Sequence, residues 1–212
     1  MKSYRFQDIL DLPKEYRRNF VNSLSGYKSL CLCGTINFEG QTNLSLMNSV
    51  QHVGANPPLM GMLIRPDVVP RHTLRNIETT GYYTLNHVTE AIYRQAHQAS
   101  ANYPAEVSEF DATGLAEEYG TIHPAPYVAQ AVIQIGLIFQ ERHQILANAT
   151  QFVVGRIVEV RIAEDILRPD GYIDPALAGS LAGAGLDGYY EGRRLARLAY
   201  ARPNQEAKEI DT

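Results

Sequence analysis

The chain has 212 residues, 45% hydrophobic and 20% charged, enough apolar material for the core of one ordinary domain and no argument for a second. A net charge of -4 and a pI near 5.9 leave out the basic field that supplies most non-specific nucleic-acid affinity, so no nucleic-acid partner is expected. MKSYRFQDILDL has no apolar stretch after its lysine, and the most apolar run, residues 128–139, is short and interrupted by glutamine. No membrane span and a cytoplasmic location are therefore expected.

In chain order, KSLCLCGTINF (28–38) alternates up to the turn signal Glu39-Gly40, and TNLSLMNSVQHV resumes as its partner strand, which reads as a hairpin. Cys31 and Cys33, the only cysteines, fall on one face of one strand. Disulfide Cβ atoms must approach to about 3.8 Å with a defined torsion, which adjacent same-face positions do not allow. No further ligand follows at zinc-like spacing, so two buried thiols and no metal are expected. The partner strand raises a question: Asn43, Ser45, Asn48 and Ser49 crowd hydroxyls and amides into a strand, and these must face water or another polar surface.

Pro57-Pro58 separates this pair from the apolar strand LMGMLIRP, and RHTLRNIETTG sets Leu74 and Ile77 at helical spacing with Gly81 as a stop. YYTLNHV reads as a strand, TEAIYRQAHQAS as a helix opened by Thr89, and PAEVSEFDATGLAEEYG as two short helical turns around Gly114. Two longer strands follow, YVAQAVIQIGLIFQERHQI and ATQFVVGRIVEVRIAEDIL, connected near His143 to Asn148. DPALAGSLAGAGLDGYY reads as a helical turn and a loop, and RLARLAYARP as a last strand. One domain over 1–203 and a polar tail over 204–212, too polar to order itself, are expected.

Many antiparallel strands with inserted helices predict a mainly β fold, a barrel decorated by helices. The phosphate fingerprints of parallel folds are missing: the chain has no G-x-G-x-x-G after a strand, no G-x-x-x-x-G-K-[ST] and no G-x-S-x-G elbow. A nucleotide site would have to be built differently.

Five segments in order, NLSLMNSVQHVGANPPLMGMLIRP, RHTLRNIETTGYYTLN, SEFDATGL, FVVGRIVEV and GYYEGRRLARLAYARP, resemble the flavin reductase-like family of FMN-binding split barrels, from about residue 25 to 203. The resemblance implies FMN at the interface of a homodimer, with FAD as the alternative flavin and NAD(P)H as reductant. It implies that the polar strand lines the isoalloxazine and that the turn before the short helix takes the phosphate. A flavin presents nitrogens and oxygens along one edge of a large apolar ring system. Asn43, Ser45, Leu46, Met47, Asn48, Ser49 and Val50 are the residues to meet it, Met47 as an adaptable apolar surface. Arg71, His72 and Thr73 stand where free N–H groups and the positive end of the helix dipole favour a phosphate.

Each residue also has an ordinary reading. A Ser/Asn-rich strand serves as a solvated edge face, Thr73 as a helix-start residue, and Arg75 as a surface charge facing Glu78. His143 matches the region where the family often has a histidine near the nicotinamide, although loop histidines are commonly solvated. Tyr189 and Tyr190 resemble the family's tyrosine after a glycine-rich loop, and SEFDATGL its insert beside the flavin. The chain departs from the family pattern in three places: Leu46 and Met47 replace aromatic residues, His72 an acidic one, and Ile135 or Gly136 a cysteine. The expected activity is that of an NAD(P)H:flavin oxidoreductase whose reduced flavin passes to an acceptor or a partner oxygenase. A flavoredoxin-like FMN electron carrier reduced by a partner protein, and a flavin-free ligand-binding module, are the alternatives.

Overall fold

The computed structural model describes residues 1–66 and 72–210. Two helices, α1 (Phe6–Leu10) and α2 (Lys14–Ser23), come first and contain no buried residue. Their aromatic rings pack on one another, Tyr4 and Tyr16 lying 5.1 and 6.4 Å from Phe20. The strands and remaining helices are β1 (Lys28–Ser29), β2 (Cys31–Ile36), β3 (Thr42–Met47), β4 (Val50–Ala55), β5 (Pro58–Ile64), α3 (His72–Thr80), β6 (Tyr82–His87), α4 (Tyr93–Gln98), α5 (Glu109–Thr113), β7 (Glu117–Glu118), β8 (Tyr127–Val128), β9 (Ile133–Ile145), β10 (Thr150–Ile162), β11 (Leu181–Ala184) and β12 (Gly188–Glu191).

Seven of these strands form one antiparallel sheet in the order β3-β2-β6-β9-β10-β5-β4. Its two edge strands, β3 and β4, are consecutive in the chain and separated only by Asn48 and Ser49. Seven flat strands would spread the edges about 29 Å apart at about 4.8 Å per spacing, whereas the three steps from Met47 to Val50 reach at most about 11 Å. The sheet therefore curls until its edges meet, and the fold is a split β-barrel. The sequence-based expectation of one continuous partner strand over TNLSLMNSVQHV is corrected here. Its first half pairs with β2, and its second half leaves for the opposite edge and pairs with β5.

Side-chain alternation puts two apolar cores on the two faces of β2. Cys31 and Cys33 join Met62, Ile77, Tyr83, Leu85 and Leu137 inside the barrel, while Leu32 meets Leu44, Val88, Ile92 and Phe110 under α4 and α5. α3 closes the inner core with Leu74 and Ile77 and stops at Gly81, whose φ of +78° suits glycine. Both cysteines are free. Burial pushes Cys31 up to about 12 and Cys33 higher still, so the reactive thiolate is suppressed. In the native protein at pH 8 neither thiol should react with a disulfide-exchange reagent, and both should react in guanidinium. Labelling of either before unfolding would contradict the burial.

Four further expectations change. The helix expected to open at Thr89 starts at Tyr93, because Thr89 is bridged to Ser180. Only the first of the two turns around Gly114 is helical, and the second becomes β7, paired with β8. The loop expected after the helical turn at 175–179 is the β11–β12 hairpin, which joins β1 in a separate three-stranded sheet. The expected last strand is reduced to an isolated bridge between Leu198 and Glu209, the chain folding back with Ala199 N–H donating to Lys208 C=O. Among the described residues no helix is long and apolar enough to cross a membrane.

Candidate functional site

A cleft of about 1230 Å³ opens where the two sheet edges meet, between the end of β3, the start of α3, the residues after α4 and the turn of the β11–β12 hairpin. Asn43, Ser45, Leu46, Met47, Asn48, Ser49, Val50, His72 and Thr73 all line it. Arg71 lies outside the described residues.

The polar face of β3 is explained by what it touches. Asn43, Ser45 and Met47 share one face of the strand. Asn43 Nδ2 donates to Thr73 Oγ1 at 3.0 Å, and the Ser45 and Thr73 hydroxyls share a hydrogen bond of 2.5 Å. Thr35 accepts from both Asn43 and Asn76, at 3.3 and 3.2 Å. This cluster fastens the edge strand to the first turn of α3, so the amides and hydroxyls meet one another and the cleft. On the other edge Ser29 Oγ donates to Val50 C=O at 2.5 Å and Ser49 Oγ to Leu63 C=O at 3.0 Å. Asn48 makes no side-chain hydrogen bond among the described residues, which leaves its amide available at the junction.

β3 is bonded to β2 on one side only. On the other, Leu44 N–H donates to Glu109 Oε2 at 2.8 Å. Antiparallel alternation turns the Leu46 N–H and C=O the same way, toward the cleft. An unpaired strand edge beside an apolar surface is a complementary lining for a planar ring with donors and acceptors along one side. Burial raises the Glu109 carboxyl above its ordinary range, against the opposing effect of the Leu44 N–H. Tyr189 also lines the cleft, its hydroxyl 2.8 Å from His97 Nδ1, and burial raises it too. Tyr190 packs on Tyr27 at 4.9 Å.

Glu109 and His97 were not singled out from the sequence. Glu109 lies in the segment read as the insert beside the cleft, so composition pointed to the segment and not to the side chain. His97 had no local signal, because only the fold brings α4 to the β11–β12 hairpin. His143 is not among the cleft residues. It sits exposed on the outer half of β9, paired across to Phe152, with Nε2 3.2 Å from Glu141. Among the described residues Arg75 forms no ion pair with Glu78, which is instead paired with Arg142 at 2.6 Å.

Comparison with known proteins agrees with this architecture. A split-barrel protein from Shewanella frigidimarina NCIMB 400, named for the flavin reductases, superposes with a TM-score of 0.92 and 47% identity over 95% of this chain and 100% of its own. Flavoredoxin of Desulfovibrio vulgaris (Miyazaki F) superposes with a TM-score of 0.71 and 25% identity, over 81% of this chain and 91% of its own. Nitrilotriacetate monooxygenase component B from Bacillus cereus has the same fold, with a TM-score of 0.81 and 18% identity over 93% and 98% of the two chains. The family described as flavin reductase like domain matches residues 28–179, and with its cleft at the split of the barrel the chain belongs to that family.

Proposed function

We propose that the chain is an NAD(P)H-dependent flavin reductase that holds FMN in the cleft and works as a homodimer. The observation that carries this reading is the junction at Asn48-Ser49, where an unpaired strand edge, a polar β3 face and the start of a nine-residue helix converge on one cavity. The residues fit the group. Leu46 backbone groups and the Asn48 amide suit the polar ring edge, Met47 suits its face, and the N-terminus of α3 with Thr73 suits the phosphate. The cavity exceeds the range of about 300–1,000 Å³ typical of a ligand site, which leaves room for a nicotinamide ring beside the flavin.

Bound FMN supplies the hydride-accepting chemistry, and the protein contributes position and electrostatics. Met47 and the apolar cleft wall exclude water from the ring face. The Asn43, Ser45 and Thr73 cluster fixes the angle between the ring-binding edge and the phosphate-binding turn. No acid–base pair is required of the protein, in keeping with a cleft whose polar groups are mostly amides, hydroxyls and backbone. The homodimer is supported by the exposed apolar side chains of Phe6, Tyr16, Leu24 and Tyr27, together with the exposed outer half of β9. His143, exposed on that strand, is proposed to act toward the nicotinamide in the partner's cleft. Delivery of reduced flavin to an oxygenase is supported by the fold shared with the monooxygenase component.

The test is an anaerobic titration of the FMN-loaded protein with NADH and NADPH, alongside light scattering. Bleaching by either nucleotide alone, and a mass near twice 23.6 kDa, are expected. The flavoredoxin relative gives the carrier reading a specific basis: bound flavin that ignores both nucleotides but is reduced by a partner protein would replace the reductase assignment. A protein that binds neither FMN nor FAD would sink both.

A further inference from the structure

Among the described residues Glu109 is the only acidic side chain that lines the cleft, alongside the basic Lys28, Arg65, His72 and His97. It is 9% exposed, and a carboxylate placed there works against any ligand that carries a phosphate. A structural role accounts for part of it. Glu109 opens α5, and its Oε2 accepts from the Leu44 N–H at 2.8 Å, which fastens α5 to the β3 edge. That bond needs one oxygen, and a glutamine amide would supply it without charge.

The second oxygen and the charge are left over. Oε1 makes no hydrogen bond among the described residues and is not one of their sealed, unpartnered polar atoms, so it opens to the cleft. Nor does Glu109 form an ion pair among them. Burial raises its carboxyl, while the Leu44 N–H and, through space, His72 favour the charged form. Along β3, the Leu44 N–H that Glu109 caps and the Leu46 groups that suit the flavin's polar edge are two residues apart, about 7 Å at about 3.4 Å per residue. Both face away from β2. Glu109 is therefore a fixed charge at one side of that polar edge, and its burial limits screening by salt.

We infer that Glu109 is the residue by which the cleft distinguishes reduced from oxidised flavin, its carboxylate weakening the hold on the flavin once it has been reduced. The inference rests on the flavin assignment of the cleft. The oxidised ring system is uncharged. When hydride passes from C4 of NAD(P)H to flavin N5, the nicotinamide is left oxidised and the flavin ring becomes an anion, its charge shared between N1 and O2 on the polar edge. Two like charges then stand beside the same stretch of β3, where the repulsion is stronger than in bulk water. The flavin phosphate is present in both states and cancels from the comparison. The consequence is a direction: flavin binds oxidised and leaves reduced, as delivery to a separate acceptor requires.

The experiment measures the dissociation constants of oxidised FMN and of dithionite-reduced FMN, the latter under anaerobic conditions, for the wild type, Glu109→Gln and Glu109→Ala at pH 8. The readout is the ratio of the reduced to the oxidised constant, from which any general loss of folded protein cancels. A ratio of at least about ten in the wild type, falling by about tenfold in both variants, is expected. By linkage the potential of the bound flavin then rises in the variants by about 30 mV for each tenfold, the conversion for a two-electron couple. A redox titration checks that rise without turnover. A wild type that holds reduced FMN as tightly as oxidised overturns the inference whatever the variants do. So does an unmoved ratio in Glu109→Gln, which would reduce Glu109 to the clasp between α5 and β3 and leave the flavin assignment standing. If the wild type binds neither form, the flavin assignment falls as well.

Discussion

Replacing Thr73 by valine is expected to weaken FMN binding by at least tenfold and riboflavin binding by markedly less. The Thr73 hydroxyl occupies two positions in the chemistry at once. It ties β3 to α3 through Ser45 at 2.5 Å and Asn43 at 3.0 Å, and it stands in the first turn of a helix whose first two residues line the cleft. Valine keeps the shape and removes the oxygen. Asn43, only 7% exposed, then loses one acceptor in a place where water does not easily replace it, at a cost of about 1–3 kcal/mol. For a ligand with a phosphate the loss includes a charge-assisted hydrogen bond, which is stronger than a neutral one. Adding Arg71→Ala should deepen the FMN defect without a matching riboflavin defect. Fluorescence titration of both flavins into both variants separates the two contributions. Equal losses for FMN and riboflavin would reduce Thr73 to a structural link between strand and helix, and would move the phosphate elsewhere.

A second large effect is expected far from the cleft. Gly136→Ala should destabilise the protein by about 2–3 kcal/mol, at the upper end of what overpacking costs, and lower its melting temperature by roughly 4–12 °C for a chain of this size. A Cβ on Gly136 would fall 2.3 Å from both His123 Nε2 and the Tyr127 hydroxyl. Neither neighbour can swing away freely. His123 Nε2 and Tyr127 Oη are 2.9 Å apart, the Tyr127 hydroxyl donates to Glu159 at 2.6 Å, and the Arg161 guanidinium covers the tyrosine ring at 4.3 Å. Glycine at 136 is what lets the segment 120–128 lie directly on β9. Thermal unfolding of G136A and of the double variant G136A/H123A provides the check. Partial recovery in the double variant is expected because the two side chains compete for one space. Strictly additive losses would mean that the collision is relieved by a backbone shift instead.

Several features of this protein were legible in its sequence. The alternation of Cys31–Ile36, the helical spacing of Leu74 and Ile77, the glycine stop at 81 and most of the two long strands reappear where periodicity put them, while Lys28–Ser29 pairs in another sheet and Tyr127–Val128 splits off from the first long strand to pair with β7. Each is a local property: a strand or helix turns a fixed set of side chains to one face, whatever it packs against. The polar run from Asn43 to Ser49 was equally conspicuous, because hydroxyls and amides in a strand require partners. The sequence therefore determined that a polar, glycine-punctuated β domain would carry its chemistry on one strand and one helix start.

Only the tertiary structure decided which partners those groups would find. Nothing local in Asn48-Ser49 distinguishes a bend within one strand from a passage between opposite edges of a seven-stranded sheet. That difference depends on the pairing of β4 with β5 and of β5 with β10, where β10 lies about ninety residues further along the chain. The same holds for Glu109 on the β3 edge, for His97 against Tyr189, and for the conversion of an apparent loop into β11 and β12. Each of these places depends on two segments distant in sequence being brought together by burial of the two cores. Periodicity reports only which face of an element is apolar, while long-range register decides what that face meets.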